Sequence, residues 1–244
     1  MRTRYPDVFP TVRCPPIPDP DAFAERKDLV EAALRLHATP SDPPSVEAVC
    51  AEAGVDEATF YAHFDAPEGL YPAVYDLAVD QYRLLSAATE GYEDFTVEER
   101  LASFYYILLD ALAEHRAFVQ ETFDSRVRYD SAFRDEVRAA LRTILTDDRI
   151  PQPNRLVTGF WPVHAVLTEV TFALIRHWIS DESADQAATT ALVDRLVAFV
   201  AELVTFGGVS RGVDLAWHIV RNDALGLRRL PLVGRFLPGR GRPE

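Results

Sequence analysis

Apolar positions recur at helical spacing from about residue 21 to about residue 206. They fall three or four residues apart with charged residues between them, the pattern of helices that bury one face. No convincing period-two run and no Asn-Gly or Asp-Gly hairpin signal interrupts them. The sequence therefore predicts an all-α fold. The expected helices lie at about residues 21–37, 45–53, 57–64, 67–88, 96–123, 129–145, 161–178, 185–206 and 213–225.

The second and third predicted helices are short and are joined by a tight turn. Ser45 is a good N-cap for the first of them, and Gly54 can end it because glycine tolerates the left-handed conformation. Asp56 can then cap the next helix. Two short helices joined by a glycine turn and packed on a longer first helix form a helix-turn-helix, which we expect over residues 21–70.

The segment SVEAVCAEAGVDEATFYAHF at residues 45–64, with Glu68 and Leu70 after it, resembles the N-terminal helix-turn-helix of the TetR family of transcriptional regulators. The matching features are the Ala-Gly-Val turn, the Thr-Phe-Tyr-x-His-Phe recognition helix and the leucine of the fourth helix. The resemblance covers about residues 22–75, and the rest of the chain matches in architecture alone. It implies a homodimeric repressor whose C-terminal helices dimerise and enclose a small, largely apolar effector.

The resemblance also implies which residues meet double-stranded operator DNA. Hydroxyls would reach phosphates, rings would lie at the backbone, and small residues would lie near the groove. The implied set is Ser45, Asp56, Ala58, Thr59, Phe60, Tyr61 and His63. Structural alternatives stay open, since Phe60 can belong to the core and Asp56 can be a helix cap. Tyr61 and His63 can equally pack against the domain.

The helix predicted at 185–206 carries two adjacent apolar rows, one of leucine and phenylalanine and one of valine. Two rows exceed what one core contact needs, so this helix is expected to pack inward and also against a second subunit. We predict a homodimer through the helices at about 161–179 and 185–206, inside a ligand-binding and dimerisation domain at 71–225. The rows are Leu192, Leu196, Phe199, Leu203 and Phe206, and Val193, Val197, Val200 and Val204.

Aromatic and ionisable side chains collect on the helices of this half. Because small-molecule pockets are mostly apolar with a few polar anchors, such a set predicts an effector site. Core packing is the alternative for each member, and Glu169 is either a rim residue or a buried acceptor. The candidates are Tyr105, His115, Phe118, Trp161, His164, Glu169 and Phe172.

Charge argues against strong DNA binding. The chain has 38 acidic and 25 basic residues, a net charge of −13, and residues 21–80 hold thirteen acidic against three basic residues. Cationic contacts to phosphate dominate affinity for DNA, so this domain is expected to bind weakly in dilute salt. Either a salt-rich cytoplasm screens the repulsion, or the module has lost DNA binding and serves as a lipid or hydrophobic-metabolite binding protein.

The two ends of the chain differ from its body. Residues 1–20 contain six prolines and predict an extended arm. Residues 207–244 contain seven arginines against three acidic residues, and we expect a basic tail at 226–244. This tail could meet the acidic body, an anionic membrane surface or DNA phosphates.

The sequence lacks the common catalytic, metal-binding and phosphate-binding motifs. It has no HExxH, paired-cysteine, G-x-S-x-G or phosphate-loop pattern, and Cys14 and Cys50 make no disulfide framework. The most apolar window, at 160–179, holds four polar or charged groups that argue against a membrane span. We therefore expect a cytoplasmic regulator with no enzymatic activity, no metal and no cofactor.

Overall fold

The computed structural model describes residues 16–37, 42–127, 132–146 and 161–205. Within these ranges the chain forms nine α-helices and no β-strand, which confirms the predicted all-α fold. The helices are α1 (Pro20–Arg35), α2 (Val46–Ala53), α3 (Glu57–His63), α4 (Leu70–Ala88), α5 (Val97–Ala113), α6 (Arg116–Arg126), α7 (Ala132–Leu145), α8 (Trp161–Ser180) and α9 (Ala187–Thr205). The helix predicted at 213–225 and the basic tail lie outside the described residues.

The helix-turn-helix is delimited by the caps that the sequence predicts. The Ser45 side chain accepts a hydrogen bond from the Ala48 amide, and Asp56 accepts one from the Thr59 amide at 2.8 Å. Gly54 ends α2 at a φ of 73°, where a side chain would strain the backbone. These three predictions are confirmed. They set the start and the end of α2 and the start of α3.

A continuous core joins α1, α2 and α3 to the start of α4. Its members are fully or nearly fully buried apolar side chains, so their burial on folding supplies the main stabilising term. A 3-10 turn at Pro67–Gly69 precedes α4, and the helix proper begins at Leu70. The shared core includes Leu29, Val30, Ala33, Val49, Phe60, Phe64 and Leu70.

The helix predicted at 96–123 is wrong in one respect, because the chain breaks it into α5 and α6. His115 leaves the helical region with φ −125° and ψ 33°. After the break the Arg116 guanidinium donates to the carbonyls of Trp178 and Asp181, at 3.0 and 2.8 Å, and lies over the Trp178 ring. Apolar spacing continues across the break, so periodicity could not show it. The bend therefore ties the start of α6 to the end of α8.

Helices α4 to α9 form the bundle, and α4 belongs to both halves of the molecule. It packs on α1 at one side and on α5 and α7 at the other. Aromatic rings fill the space between α4, α6, α7 and α8, with centroids 5.4 to 6.0 Å apart for Tyr75, Phe123, Phe133 and Phe172. The proposed boundary near residue 70 thus falls at the start of a helix that connects the two halves.

The turn between α8 and α9 is held by one carboxylate. Asp181 accepts hydrogen bonds from the amide and hydroxyl of Ser183 and from the amide and hydroxyl of Thr189, at 2.6 to 2.9 Å. These four donors hold the pKa of Asp181 well below its ordinary value. The turn sets the direction in which α9 leaves α8.

Candidate functional site

Side chains on α3 divide sharply between the core and the surface. Phe60 is completely buried, whereas the Tyr61 side chain is 55% exposed and Ala58 and Ala62 are also exposed. The Phe60 ring packs against Phe64 with centroids 5.6 Å apart. A DNA contact by Phe60 is therefore wrong, because its ring takes the core position that the sequence left open. The exposed residues of α3 are Glu57, Ala58, Tyr61 and Ala62, so Tyr61 lies beside two small residues with an acidic residue at the start of the helix.

The hydroxyls of Ser45 and Thr59 differ in whether they can donate a hydrogen bond to DNA. Ser45 accepts a hydrogen bond as the α2 cap, so its own O–H can turn towards an external acceptor. The Thr59 hydroxyl donates to Asp56 at 2.8 Å. Donors from Thr59 lower the pKa of Asp56, which is thus an acidic cap at the start of α3. A phosphate contact by Thr59 would require its hydroxyl to leave this carboxylate.

His63, at the end of α3, is turned towards α1. Its Nε2 lies 2.9 Å from a carboxylate oxygen of Glu25, and its side chain is largely covered. This contact agrees with the alternative in which His63 packs against its own domain. It also places the second turn of α1 beside the C-terminal end of α3.

Every cation within residues 21–80 is engaged by carboxylates of the same chain. Lys27, the lone lysine of the sequence, is held by the bundle, and the two arginines are held by neighbouring helices. Each would have to leave a carboxylate in order to bind a phosphate. The shortest contacts are Arg26 with Asp76 and Asp80 at 3.5 and 3.4 Å, Lys27 with Glu114 at 2.8 Å, and Arg35 with Glu52 at 2.6 Å.

The contact of Arg26 belongs to a chain of charges that joins the two halves. Arg26 also lies over the Phe64 ring, and Arg83 links Asp80 on α4 to Glu136 on α7. Burial raises the pKa of Asp76 to about 6 even though Arg26 opposes the shift, and burial raises the pKa of Asp80 as well. Sequence reasoning missed this network because its partners are far apart along the chain. Three carboxylates face two guanidinium groups in it, so one negative charge is uncompensated.

Replacing Asp76 by asparagine should stabilise the protein at neutral pH. The pKa of Asp76 is raised in the folded state, so the folded protein binds this proton more tightly than the unfolded chain does. The free energy of unfolding therefore declines as pH rises from about 4 to about 6, where only the unfolded chain releases the proton readily. Asp76→Asn removes this decline and should gain about 1–3 kcal/mol at pH 7.5. Urea unfolding at pH 4.5, 6 and 7.5 measures the difference. The exposed Asp28→Asn is the matched control, and a variant less stable than wild type at pH 7.5 would refute the assignment.

The two adjacent apolar rows of α9 differ in burial. The four valines are buried in the bundle, so the inward contact predicted for this helix is confirmed. In the other row Leu192, Phe199 and Leu203 are exposed, with Phe199 at 59%, whereas Leu196 is partly buried against the core and Phe206 lies outside the described residues. Val166 on α8 is exposed as well. Leu192, Phe199 and Leu203 repeat at spacings of seven and four residues along one face. This outer face is an apolar surface of the kind that a second subunit covers.

The candidate effector residues do not all come together. Tyr105 and His164 are buried inside the bundle. The Tyr105 hydroxyl lies 3.3 Å from that of Thr171, which is two helical turns from His164 on α8. Burial raises the pKa of Tyr105 to about 12, so its hydroxyl stays protonated at neutral pH. Phe172 is buried in the ring cluster of the same interior. The side chain of Trp161 lies outside the described residues. The interior between α5 and α8 thus offers apolar walls with hydroxyl and imidazole groups.

Two further candidates, Glu169 and Phe118, lie outside this interior. Glu169 pairs with Arg134 and its side chain is 65% exposed, so the buried-acceptor alternative is wrong and the rim position holds. Phe118 packs on His37 and Tyr71, where the helix-turn-helix meets the bundle. The spacing of apolar residues on α8 could not reveal the ion pair with Arg134, because Arg134 lies 35 positions away in the chain.

His115 lines a cavity between α1, α4 and the end of α5, with Phe23 and Leu77 among its apolar walls. One carboxylate oxygen each of Glu31 and Glu114 and one ring nitrogen of His115 lie within 4.8 Å of one another there. Carboxylate and imidazole groups are common ligands of metal ions. The Lys27 ammonium already supplies a positive charge at this cluster, since it donates to Glu114. Burial lowers the pKa of His115.

Among the described residues, no helix is both long and apolar enough to cross a membrane.

Comparison with known proteins agrees with this architecture. The family model "Tetracyclin repressor-like, C-terminal domain" matches residues 100–219. The crystal structure of the TetR transcriptional regulator from Nitrosomonas europaea ATCC 19718 is similar in fold, with a TM-score of 0.53 and 20% sequence identity over 75% of this chain and 99% of that chain. None of the curated proteins matches. Residues 100–219 thus belong to the tetracyclin repressor-like C-terminal domain family, and the N-terminal helix-turn-helix lies outside this match.

Proposed function

We propose that the protein is a repressor that binds a palindromic operator as a homodimer and is released by a small, largely apolar effector. The observation that carries the proposal is the exposed face of α3. Ala58 and Ala62, one helical turn apart, leave room for close approach to base edges, and Tyr61 beside them offers a hydroxyl. Phe60 and the Asp56 cap hold this face rigidly on the domain.

The dimer part of the proposal is supported by the outer face of α9. A two-fold pair built on Phe199 and Leu203 would bury that apolar row and would present two copies of α3. Successive half-sites on one face of a duplex are about 34–36 Å apart, so the separation of the two α3 helices decides operator affinity.

Release would follow from population shift through α4. An effector that binds better to a conformation with mis-spaced α3 helices lowers operator affinity by its differential binding free energy. The interior near Tyr105, His164 and Thr171 has the mixture of apolar wall and sparse polar groups that such ligands use. Because α4 packs on α1 and on the bundle, a shift of the bundle helices would move the DNA-binding half.

A second candidate is a lipid or hydrophobic-metabolite binding protein that does not bind DNA. The pairing of Arg26, Lys27 and Arg35 with carboxylates favours it, because the domain then presents few cations to phosphate.

Selection from a random pool of DNA duplexes separates the two candidates. The purified full chain would be used at potassium chloride concentrations from low salt to molar salt. The repressor proposal expects enrichment of one palindromic sequence at some salt concentration. Failure to enrich any sequence over the whole range, with lipid co-purifying, would favour the second candidate.

A further inference from the structure

We propose that α3 reads a cytosine through Glu57 and neighbouring thymines through Ala58 and Ala62, so that these three side chains set the base sequence of each operator half-site. This inference rests on the proposed function and adds to it the chemistry of the bases that the site selects. The three residues are exposed on α3, whereas Phe60 is completely buried and His63 is turned towards α1.

The exposed side chains of α3 form two rows along the helix. Glu57 and Tyr61 are four residues apart, and so are Ala58 and Ala62, which puts the members of each pair on the same face. One row carries a carboxylate and a phenol, and the adjacent row carries methyl groups. Residues near the start of a recognition helix lie against base edges in the major groove. Glu57 and Ala58, the first two residues of α3, are therefore placed nearest to the bases in such a complex.

The Glu57 carboxylate can accept a hydrogen bond from DNA, in contrast to the acid beside it. Asp56 accepts hydrogen bonds from the amide and the hydroxyl of Thr59, both at 2.8 Å, and therefore holds the start of the helix. Within the part of the chain that the structure describes, the exposed Glu57 side chain has no ion pair and no hydrogen bond. Its oxygens are thus open to a donor on a base edge.

The four bases offer a carboxylate different partners in the major groove. Cytosine presents its N4 amino group as a donor, whereas guanine presents only the N7 and O6 acceptors. Thymine presents the O4 acceptor and a methyl group, and adenine places the N7 acceptor beside its amino donor. A carboxylate held against an acceptor loses water without gaining a partner, which costs free energy. Glu57 therefore favours cytosine and disfavours guanine.

The methyl groups of Ala58 and Ala62 suit the methyl group of thymine. An apolar side chain gains free energy by covering this group, which distinguishes thymine in the major groove. Four residues of α-helix span about 6 Å, and consecutive bases rise by about 3.4 Å, so the two alanines cover bases about two steps apart. A half-site that joins one cytosine to nearby thymines therefore matches the exposed face of α3.

The pairing of cations within the domain increases the importance of these base contacts. Arg26, Lys27 and Arg35 are held by carboxylates of the same chain, so the domain offers few contacts to phosphate. Phosphate contacts carry no sequence information directly, whereas contacts to base edges do. Affinity that comes mainly from base contacts should fall steeply when a single contacted base is changed.

The test applies the selection from random duplexes described above to the full-length wild-type chain and to Glu57→Gln. Glutamine pairs with the N6 and N7 atoms of adenine. We expect the wild type to enrich cytosine at one position of each half-site and Glu57→Gln to enrich adenine at that same position. Guanine in place of this cytosine in one half-site should weaken wild-type binding by about 5- to 150-fold, since a good base contact discriminates by about 1–3 kcal/mol.

Glu98→Gln is the matched control, because Glu98 is an exposed acid in the first turn of α5, on the bundle. It should enrich the same cytosine as the wild type. Thermal unfolding monitored by circular dichroism checks that both variants are folded.

A second measurement uses the wild-type chain alone and therefore does not depend on the folding of a variant. Deoxyuridine in place of the half-site thymines removes only their methyl groups. Binding should weaken about fourfold for each methyl group that an alanine covers.

A folded Glu57→Gln chain that enriches the wild-type base, or that enriches no duplex, would overturn the role of Glu57. Equal affinity for the thymine and deoxyuridine duplexes would overturn the role of the two alanines. Wild-type enrichment of half-sites without cytosine would overturn this inference and leave the repressor proposal intact. A wild-type chain that enriches no duplex would overturn both.

Discussion

Replacing Phe199 by glutamate should convert the protein into a monomer and abolish tight operator binding. Phe199 is the most exposed member of the outer row of α9, so the change removes little from the core of a single subunit. In the proposed dimer it removes two buried rings, each worth about 2 kcal/mol, and places carboxylates in their position. The dimer dissociation constant should rise at least about 1,000-fold.

Sedimentation equilibrium measures this constant directly, and circular dichroism should show unchanged helix content. Leu85→Glu is the matched control, because Leu85 is an exposed apolar residue on α4 rather than on α9. The control should remain dimeric. A Phe199→Glu variant that keeps the mass of a dimer would show that α9 does not form the interface.

Phe60→Ala and Tyr61→Ala, at neighbouring positions of α3, should have opposite consequences. Phe60 is completely buried, so its truncation leaves a cavity and should lower the free energy of unfolding by about 3–5 kcal/mol. Tyr61→Ala removes a largely exposed ring and should change stability by no more than about 0.5 kcal/mol. Urea unfolding of both variants measures the contrast.

Operator binding should respond to Tyr61 in the folded protein. A lost hydroxyl contact to phosphate is worth about 1 kcal/mol or more per half-site, so a dimer should lose about 30-fold in affinity. Leu85→Ala controls for removal of an exposed apolar side chain elsewhere. If Tyr61→Ala bound the enriched duplex as tightly as wild type, the exposed face of α3 would not be the reading surface.

Local signals in the sequence account for most of what could be predicted about the fold. Ser45, Gly54 and Asp56 act through residues within four positions of themselves, so their roles as helix caps and terminator follow from residue type and spacing. The break at His115 could not be predicted, because it depends on contacts between Arg116 and residues more than sixty positions away.

The candidate site was predictable in outline and less so in detail. Resemblance placed the recognition helix, yet it could not decide that Phe60 faces inward while Tyr61 faces outward, since both rings suit either environment. The net charge of residues 21–80 could be counted from the sequence. That Arg26 and Lys27 are held by carboxylates of α4 and α5 depends on tertiary packing, which no local pattern encodes.

A hydroxyl-radical footprint of the wild-type protein on the enriched duplex tests most directly whether two copies of the acidic helix-turn-helix bind one DNA duplex together. The account predicts two equivalent protected patches, related by a two-fold axis and centred about 10–10.5 base pairs, or a multiple of that spacing, apart. A single unsymmetrical patch, or no protection at any salt concentration, would contradict it.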